Sequence, residues 1–412
     1  MPVSSYLFHG GRLLDPRQES LIEDAHVLVE DDRIKEVADR PITAASATRI
    51  DLRGRTLMPG LIDAHIHILL PEVNIHALDG VPLTLLAAKG SVSARAMLMR
   101  GFTTVRDTGG ADYGMKAAIE SGLFEGPRLF ISGMPISQTG GHGDFRKRTQ
   151  TGFECACCSG LASAARVADG VPEVLRAVRD ELRKGADQIK IMVSGGVASQ
   201  ADPLESLQYR MDEIEAAVEE ATRWGTYVCA HAYAAEAIKR AVTAGVRTIE
   251  HGNLIDEPTA RLMAEKKAYL VPTLVVYDAL RRRGADYGLS AYSLQKNEIV
   301  LNAGLKSLEI ARAAGVQIGF GSDLIGKLQN DHCREFLIRS EVMRPQEIIR
   351  SATLVNAEIV RQSGKLGEIT AGAYADLLIV DGDPTSDLGV FQDEGARIPA
   401  IMKGGRFVKN TL

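Results

Sequence analysis

Cysteine is scarce, five in 412 residues, and an odd count in a chain this long does not suggest a disulfide framework. Three of the five, Cys155, Cys157 and Cys158, crowd into one Gly- and Ser-containing stretch. C-x-C-C is not a usual zinc spacing and no fourth ligand stands nearby, so loop thiols without catalytic duty are expected. The single tryptophan, Trp224, continues the apolar stripe of a helical pattern and is expected in the core. No apolar run approaches membrane-spanning length, and no basic segment followed by an apolar one opens the chain. A cytoplasmic enzyme is therefore the default expectation. The chain also lacks positive excess: its net charge of −5 argues against nucleic acid or an anionic membrane as the main partner.

What is present is ordinary for a globular enzyme, with 45% hydrophobic and 25% charged residues. The length suits a barrel with a smaller accessory domain. Short strands and turns occupy both ends, including 6–8, 25–29 and 33–37, then 375–380 and a closing hairpin over 398–408 turned at Gly404-Gly405. These ends are expected to form one small β domain, residues 1–57 with 362–412. The middle, 58–361, alternates strand and helix. Candidate strands lie at 57–64, 103–107, 128–132, 188–193, 227–230, 248–250, 269–273 and 317–321. One helical face reads Val171, Val174, Leu175, Val178, Leu182, with Pro172 in its first turn. Asp212 with Glu215 three residues on is a capping-box pattern for the next. Gly101, Gly185, Gly225, Gly245 and Gly315 each close an apolar helix just before a strand. Eight strand–helix repeats make an α/β fold, a (β/α)8 barrel, the economical solution. An open doubly wound sheet loses weight because no G-x-G-x-x-G follows an early strand.

In such barrels the working groups project from the C-terminal ends of the strands. His65 and His67 end the first strand, two apart and so on one face. Lys190 stands in the apolar run Ile189-Lys190-Ile191-Met192-Val193, where a charge is costly unless paired or neutralised. His231 ends the fifth strand, His251 the sixth and Asp323 the eighth. Each alone has a bland reading, as a core histidine, a paired lysine or a helix cap. All six at strand ends together point to a metal site, with zinc the first expectation and manganese or iron as alternatives.

These residues, with Met58-Pro59-Gly60-Leu61-Ile62-Asp63-Ala64-His65 and Gly372-Ala373-Tyr374-Ala375-Asp376-Leu377, resemble the binuclear amidohydrolase superfamily over nearly the whole chain. That resemblance implies a (β/α)8 barrel with a β-sandwich built from both termini. It implies His65, His67 and Asp323 around one divalent ion, His231 and His251 around a second, and a carboxylated Lys190 bridging them. Closer similarity, carried by 137–144, 188–198, His231-Ala232-Tyr233 and 251–256, is to the dipeptidase branch that includes Xaa-Pro dipeptidases (prolidases), with imidazolonepropionase related.

The chemistry so implied is amide hydrolysis of a dipeptide with a free C-terminal carboxylate. Two cations roughly 3.5–4 Å apart would share a water that ionises near neutral pH. Asp323 would take the water's proton and deliver it to the leaving amine. His142 and Tyr233 are candidate substrate contacts, with Arg106 a third that could instead pair with Asp107 or another carboxylate. The alternatives are other C-terminal residues, N-acyl amino acids or a cyclic amide. A homo-oligomer is left open. His9, His26, His76 and His332 receive no role, the last two being expected in loops without a matching partner.

Overall fold

The structure is a computed structural model that describes residues 5–146 and 164–412, and it is a mixed α/β fold. The cluster Cys155, Cys157 and Cys158 lies outside the described residues. Cys229 and Cys333 are buried free thiols. Among the described residues no helix is long and apolar enough to cross a membrane.

Two sheets are built from the ends of the chain, the first from both ends and the second from the N-terminal end alone. One runs in the order Arg406–Asn410, Ala400–Lys403, Leu377–Val380, Thr56–Pro59, Arg12–Leu13; the other is Arg33–Ala38, His26–Glu30, Ser5–His9, Thr48–Asp51. Their side chains meet in one core that includes Phe8, Val27, Val29, Leu57, Leu377 and Met402. The closing hairpin turns at Gly404 and Gly405 as expected.

The expected strand over 57–64 is two strands broken at Gly60. Thr56–Pro59 pairs antiparallel with Leu377–Val380, whereas Leu61–Ile66 pairs parallel with Phe102–Asp107. A β-carbon at Gly60 would fall 2.0 Å from the Thr103 hydroxyl, so only glycine allows the chain to pass there.

The remaining strands are parallel throughout. Leu61–Ile66, Phe102–Asp107 and Arg128–Ile131 form one set. Arg166–Val167, Ile136–Ser137, Ile189–Met192, Val228–Ala234, Thr248–Leu254, Tyr269–Val271 and Gln317–Ile318 form the other. Backbone hydrogen bonds join the sets at both edges, from Ala64 N–H to Phe320 O (2.8 Å) and from Asp187 N–H to Ile131 O (2.7 Å). Between the strands run helices such as Leu83–Met99, Gly170–Arg183, Met211–Arg223 and Ala291–Ala313. The five glycines read as helix-to-strand punctuation all have positive φ, between 75° and 96°.

Three local expectations are corrected. The helix cap is not Asp212 with Glu215: Arg210 is the N-cap and the Glu213 carboxylate accepts its N–H at 2.7 Å. Trp224 is 55% exposed, not core: it is the C-cap, one residue past the helix Met211–Arg223, and its indole N–H donates to Glu220 at 3.2 Å. His332 does have a partner: it is buried, its Nε2 lies 2.7 Å from Asp63, and its ring stacks on Phe102 at 4.0 Å. Asp63 also accepts the His65 N–H and the Ser322 hydroxyl, tying the first strand to the segment that carries Asp323.

Candidate metal centre

The parallel strands bring the six expected residues into one place. His65 is the fifth residue of Leu61–Ile66, and His67 follows directly after that strand. Alternation along the strand puts both rings on one side, 5.3 Å apart. His231 faces Met192 across the strand pair, and His251 faces Ala232 in the next. The rings of His65 and His251 lie 4.9 Å apart, and those of His231 and His251 4.7 Å apart. Asp323 arrives from the chain's far end, anchored by its N–H to His65 O at 2.8 Å. Its Oδ1 stands 3.0 Å from His67 Nε2 and 3.4 Å from His65 Nε2. Ligand atoms of His65, His67 and Asp323 all fall within 4.8 Å of one another, close enough for one ion.

Acceptors behind the rings decide which nitrogen faces inward. Ionised carboxylates and carbonyls only accept, so a ring nitrogen bonded to one must carry the proton. His65 Nδ1 donates to Glu250 (2.8 Å) and His67 Nδ1 to Gly109 O (2.7 Å), which turns both Nε2 atoms inward toward Asp323. His231 Nε2 donates to Gly195 O (3.1 Å), which frees Nδ1 instead. His251 Nδ1 shares a hydrogen bond with Thr273 Oγ1 at 2.8 Å. Burial, foremost, holds His231 and His251 well below the usual histidine range, so both are neutral donors. Burial also pulls on His67, but the hydrogen bond and charge of Asp323 outweigh it and raise the ring. Asp323 is held well below the carboxylate range because His65 and His67 outweigh its burial. His251 and Asp323 adopt φ of 76° and 54°, left-handed values that cost a non-glycine residue about 1–3 kcal/mol. Strain of that kind collects at functional sites.

Lys190 is 2% exposed, and burial foremost lowers its amine. Glu250 was not read from the sequence, although a charged residue inside the buried Thr248–Leu254 strand is the same signal that singled out Lys190. It is fully buried between His65 and Arg106, whose guanidinium donates to its second oxygen at 2.8 Å. Burial would raise the Glu250 carboxyl, but the Arg106 charge outweighs it and keeps it low. Arg106 is thus committed to Glu250, Thr248 and the Ala64 carbonyl, and does not line the cavity. Asp107 turns elsewhere, accepting the N–H groups of Ile68, Gly109 and Ala111.

All six residues open into one cavity, which His142 and Tyr233 also line. The His142 ring stacks on His231 at 4.2 Å, and burial foremost pushes its pKa down to about 4. Tyr233 lies 4.8 Å from the His231 ring, as the i, i+2 spacing requires, and its hydroxyl is 2.9 Å from that of Tyr277. Burial raises the Tyr233 phenol, so it keeps its proton. His76, given no role from the sequence, lies on the cavity wall beside Phe145. The outer wall is apolar, with Val73, Phe145, Val276, Leu280 and Leu289.

The amidohydrolase family profile matches residues 56–408. The chain belongs to the amidohydrolase family. Its members are metal-dependent hydrolases, and this chain is an enzyme of that kind acting on a small-molecule substrate. It is 32% identical over 414 residues to the ochratoxinase of Aspergillus niger, covering 96% of this chain and 85% of that one. A solved amidohydrolase structure superposes with a TM-score of 0.97 at 52% identity, covering 99% of this chain and all of the other. A prolidase solved with N-methylphosphonate-L-proline does so with a TM-score of 0.97 at 50% identity and the same coverage. The expected branch of prolidase-like amidohydrolases is therefore the right one. The donor set fits a metal ion chemically: four inward-facing imidazoles and a carboxylate suit a borderline divalent cation.

Proposed function

We propose that this amidohydrolase cleaves the amide bond of dipeptides with a free C-terminal carboxylate, with Xaa-Pro preferred. The parallel strands are read as one closed (β/α)8 barrel over 58–361, and the terminal sheets as a β-sandwich of 1–57 with 362–412. His65, His67 and Asp323 would hold one divalent ion, His231 and His251 a second, and a carboxylated Lys190 would bridge them, with zinc the first candidate. Such ions supply Lewis-acid polarisation of the scissile carbonyl and acidify the attacking water.

The rest is done by the chain's own residues. Asp323, ionised and facing the cavity, takes the proton of the attacking water and returns it to the departing nitrogen. A proline nitrogen is a secondary amine and leaves only once protonated. Tyr233 keeps its phenolic proton and can donate to an oxygen of the substrate. His142, neutral beside His231, presents a second polar edge to the same space. The apolar outer wall accommodates the side chain of the first residue and excludes water.

The observation that carries this reading is the meeting of six metal-type donors with His142 and Tyr233 in one partly apolar cavity. The likeness to a prolidase that binds a proline derivative supports the choice of leaving group. The likeness to ochratoxinase favours a second reading, a carboxypeptidase or N-acyl amino acid hydrolase with a different leaving residue. The test is a panel of dipeptides ending in Pro, Arg, Lys, Phe or Leu, given to metal-loaded protein. Fastest turnover of the Xaa-Pro members is expected. Turnover of cyclic amides alone, as by an imidazolonepropionase, would overturn the peptidase reading.

Glu250 gives a separate prediction. It orients His65 from behind, and losing such a partner typically weakens metal binding by about 10–100-fold. Glu250→Gln should lose metal to a chelator at correspondingly lower concentration. Chelator competition followed by metal analysis reads this without any assay of turnover; unchanged retention would confine Glu250 to packing.

A further inference from the structure

We propose that Lys296, outside the cavity, is a positioning residue that holds the 194–203 segment in the shape that seats His142. The proposal rests on the reading of His142 as a substrate contact. Lys296 projects from the helix Ala291–Ala313 and is 3% exposed. An ammonium carries three N–H donors. All three are taken by backbone carbonyls of one segment: Gly196, Ser199 at 2.6 Å and Asp202 at 3.1 Å. The fold thus places a buried cation where it gathers a loop.

That loop is the seat of His142. Ser199 Oγ lies 2.7 Å from His142 Nδ1. Gly196 lies flat against the ring, and a β-carbon there would stand 2.0 Å from His142 Cε1. The Asp202 carboxylate accepts the Gly196 N–H (3.0 Å) and a Gln208 amide hydrogen (3.1 Å). Gln208 Oε1 in turn accepts the His142 backbone N–H at 2.9 Å. Ring and backbone of His142 are therefore both fixed by groups that Lys296 gathers. The other face of the ring rests on His231, which Lys296 does not touch. Val197, Ala198 and Gln200 of the same segment line the cavity, so the lysine also sets part of its wall. Without the ammonium, three buried carbonyls lose their donor and the segment must relax to find water.

The test uses the full chain loaded with metal, leucyl-proline as substrate, and the variants Lys296→Met, Lys296→Arg, His142→Ala and the doubles. Lys296→Met is expected to speed hydrogen exchange in 137–146 and 194–203 and to lower kcat/KM by about tenfold or more, with metal content measured beside it because Gly195 O of the same segment accepts from His231. In the His142→Ala background the same change should alter kcat/KM by less than about twofold, since coupled residues are non-additive. Lys296→Arg keeps the charge and its donors and should fall between parent and Met variant, which covers the case in which the Met protein does not fold. An equal loss in both backgrounds, or exchange unchanged in both segments, would overturn the proposal. If the parent does not turn over leucyl-proline, the peptidase reading fails, and the exchange data still decide whether Lys296 holds the seat.

Discussion

Replacing Asp323 by Asn is expected to lower kcat by about a hundred- to ten-thousandfold, the range that positioned proton transfer contributes, while metal content stays near that of the parent. Asn is the substitution the backbone accepts. Asp323 sits at φ 54°, and Asn is among the few residues that adopt this region readily. The anchoring bond from its N–H to His65 O does not involve the side chain. An amide oxygen can still face His65 and His67, where Oδ1 now lies. It cannot accept and return a proton in the neutral range. Burial alone would raise the Asp323 carboxyl, but the charge and hydrogen bond of His65 and the bond from His67 outweigh it. The group faces the same cavity as the histidines. The measurement is kcat on an Xaa-Pro dipeptide beside metal analysis of the same sample. A rate that survives would move the proton shuttle to another residue. Loss of metal together with rate would make Asp323 chiefly a ligand.

The histidines and Asp323 were legible in the sequence because ligand-type residues at the ends of several strands leave few bland explanations together, although each has one alone. The strand frame was legible for a related reason, since glycine after each helix is required where φ is positive. Glu250 obeys the same logic as Lys190, a charge inside a buried strand. Other features were not legible at all. His332 finds Asp63, 269 positions away, and nothing local to either announces the pair. Lys296 reads as one more charged residue on a helix until the fold brings the carbonyls of 196–202 to it. Trp224 fits the helical period and still falls outside, because period does not say where a helix stops. Substrate preference is hidden for the same reason. The cavity wall is assembled from Val73, Phe145, Val197, Leu280 and Leu289, which share no motif and meet only in the fold.

Lys190→Ala is expected to abolish turnover if, as proposed, its carbamate would bridge two cations. Metal content should fall from about two ions per chain to one or fewer. The argument begins with burial. Lys190 lies in the Ile189–Met192 strand, 2% exposed, facing the same cavity as the histidines. Burial foremost lowers its pKa, with the Arg106 charge acting in the same direction and Glu250 against it. A neutral amine is the form that attacks carbon dioxide: the new N–C bond forms, a proton leaves, and an anionic carbamate with two oxygens results. On Lys190 this would convert a residue that repels cations into one that binds them. Alanine leaves space where the side chain stood, and a short carboxylic acid such as acetate or propionate has the same pair of oxygens. Adding one to the alanine variant should restore part of both metal binding and rate. Titration of the acid against kcat, with metal content followed in parallel, gives the measurement. An alanine variant with full rate and full metal content would remove the carbamate from the mechanism. Rescue of metal without rate would separate a ligand that gathers the ions from one that also sets their spacing.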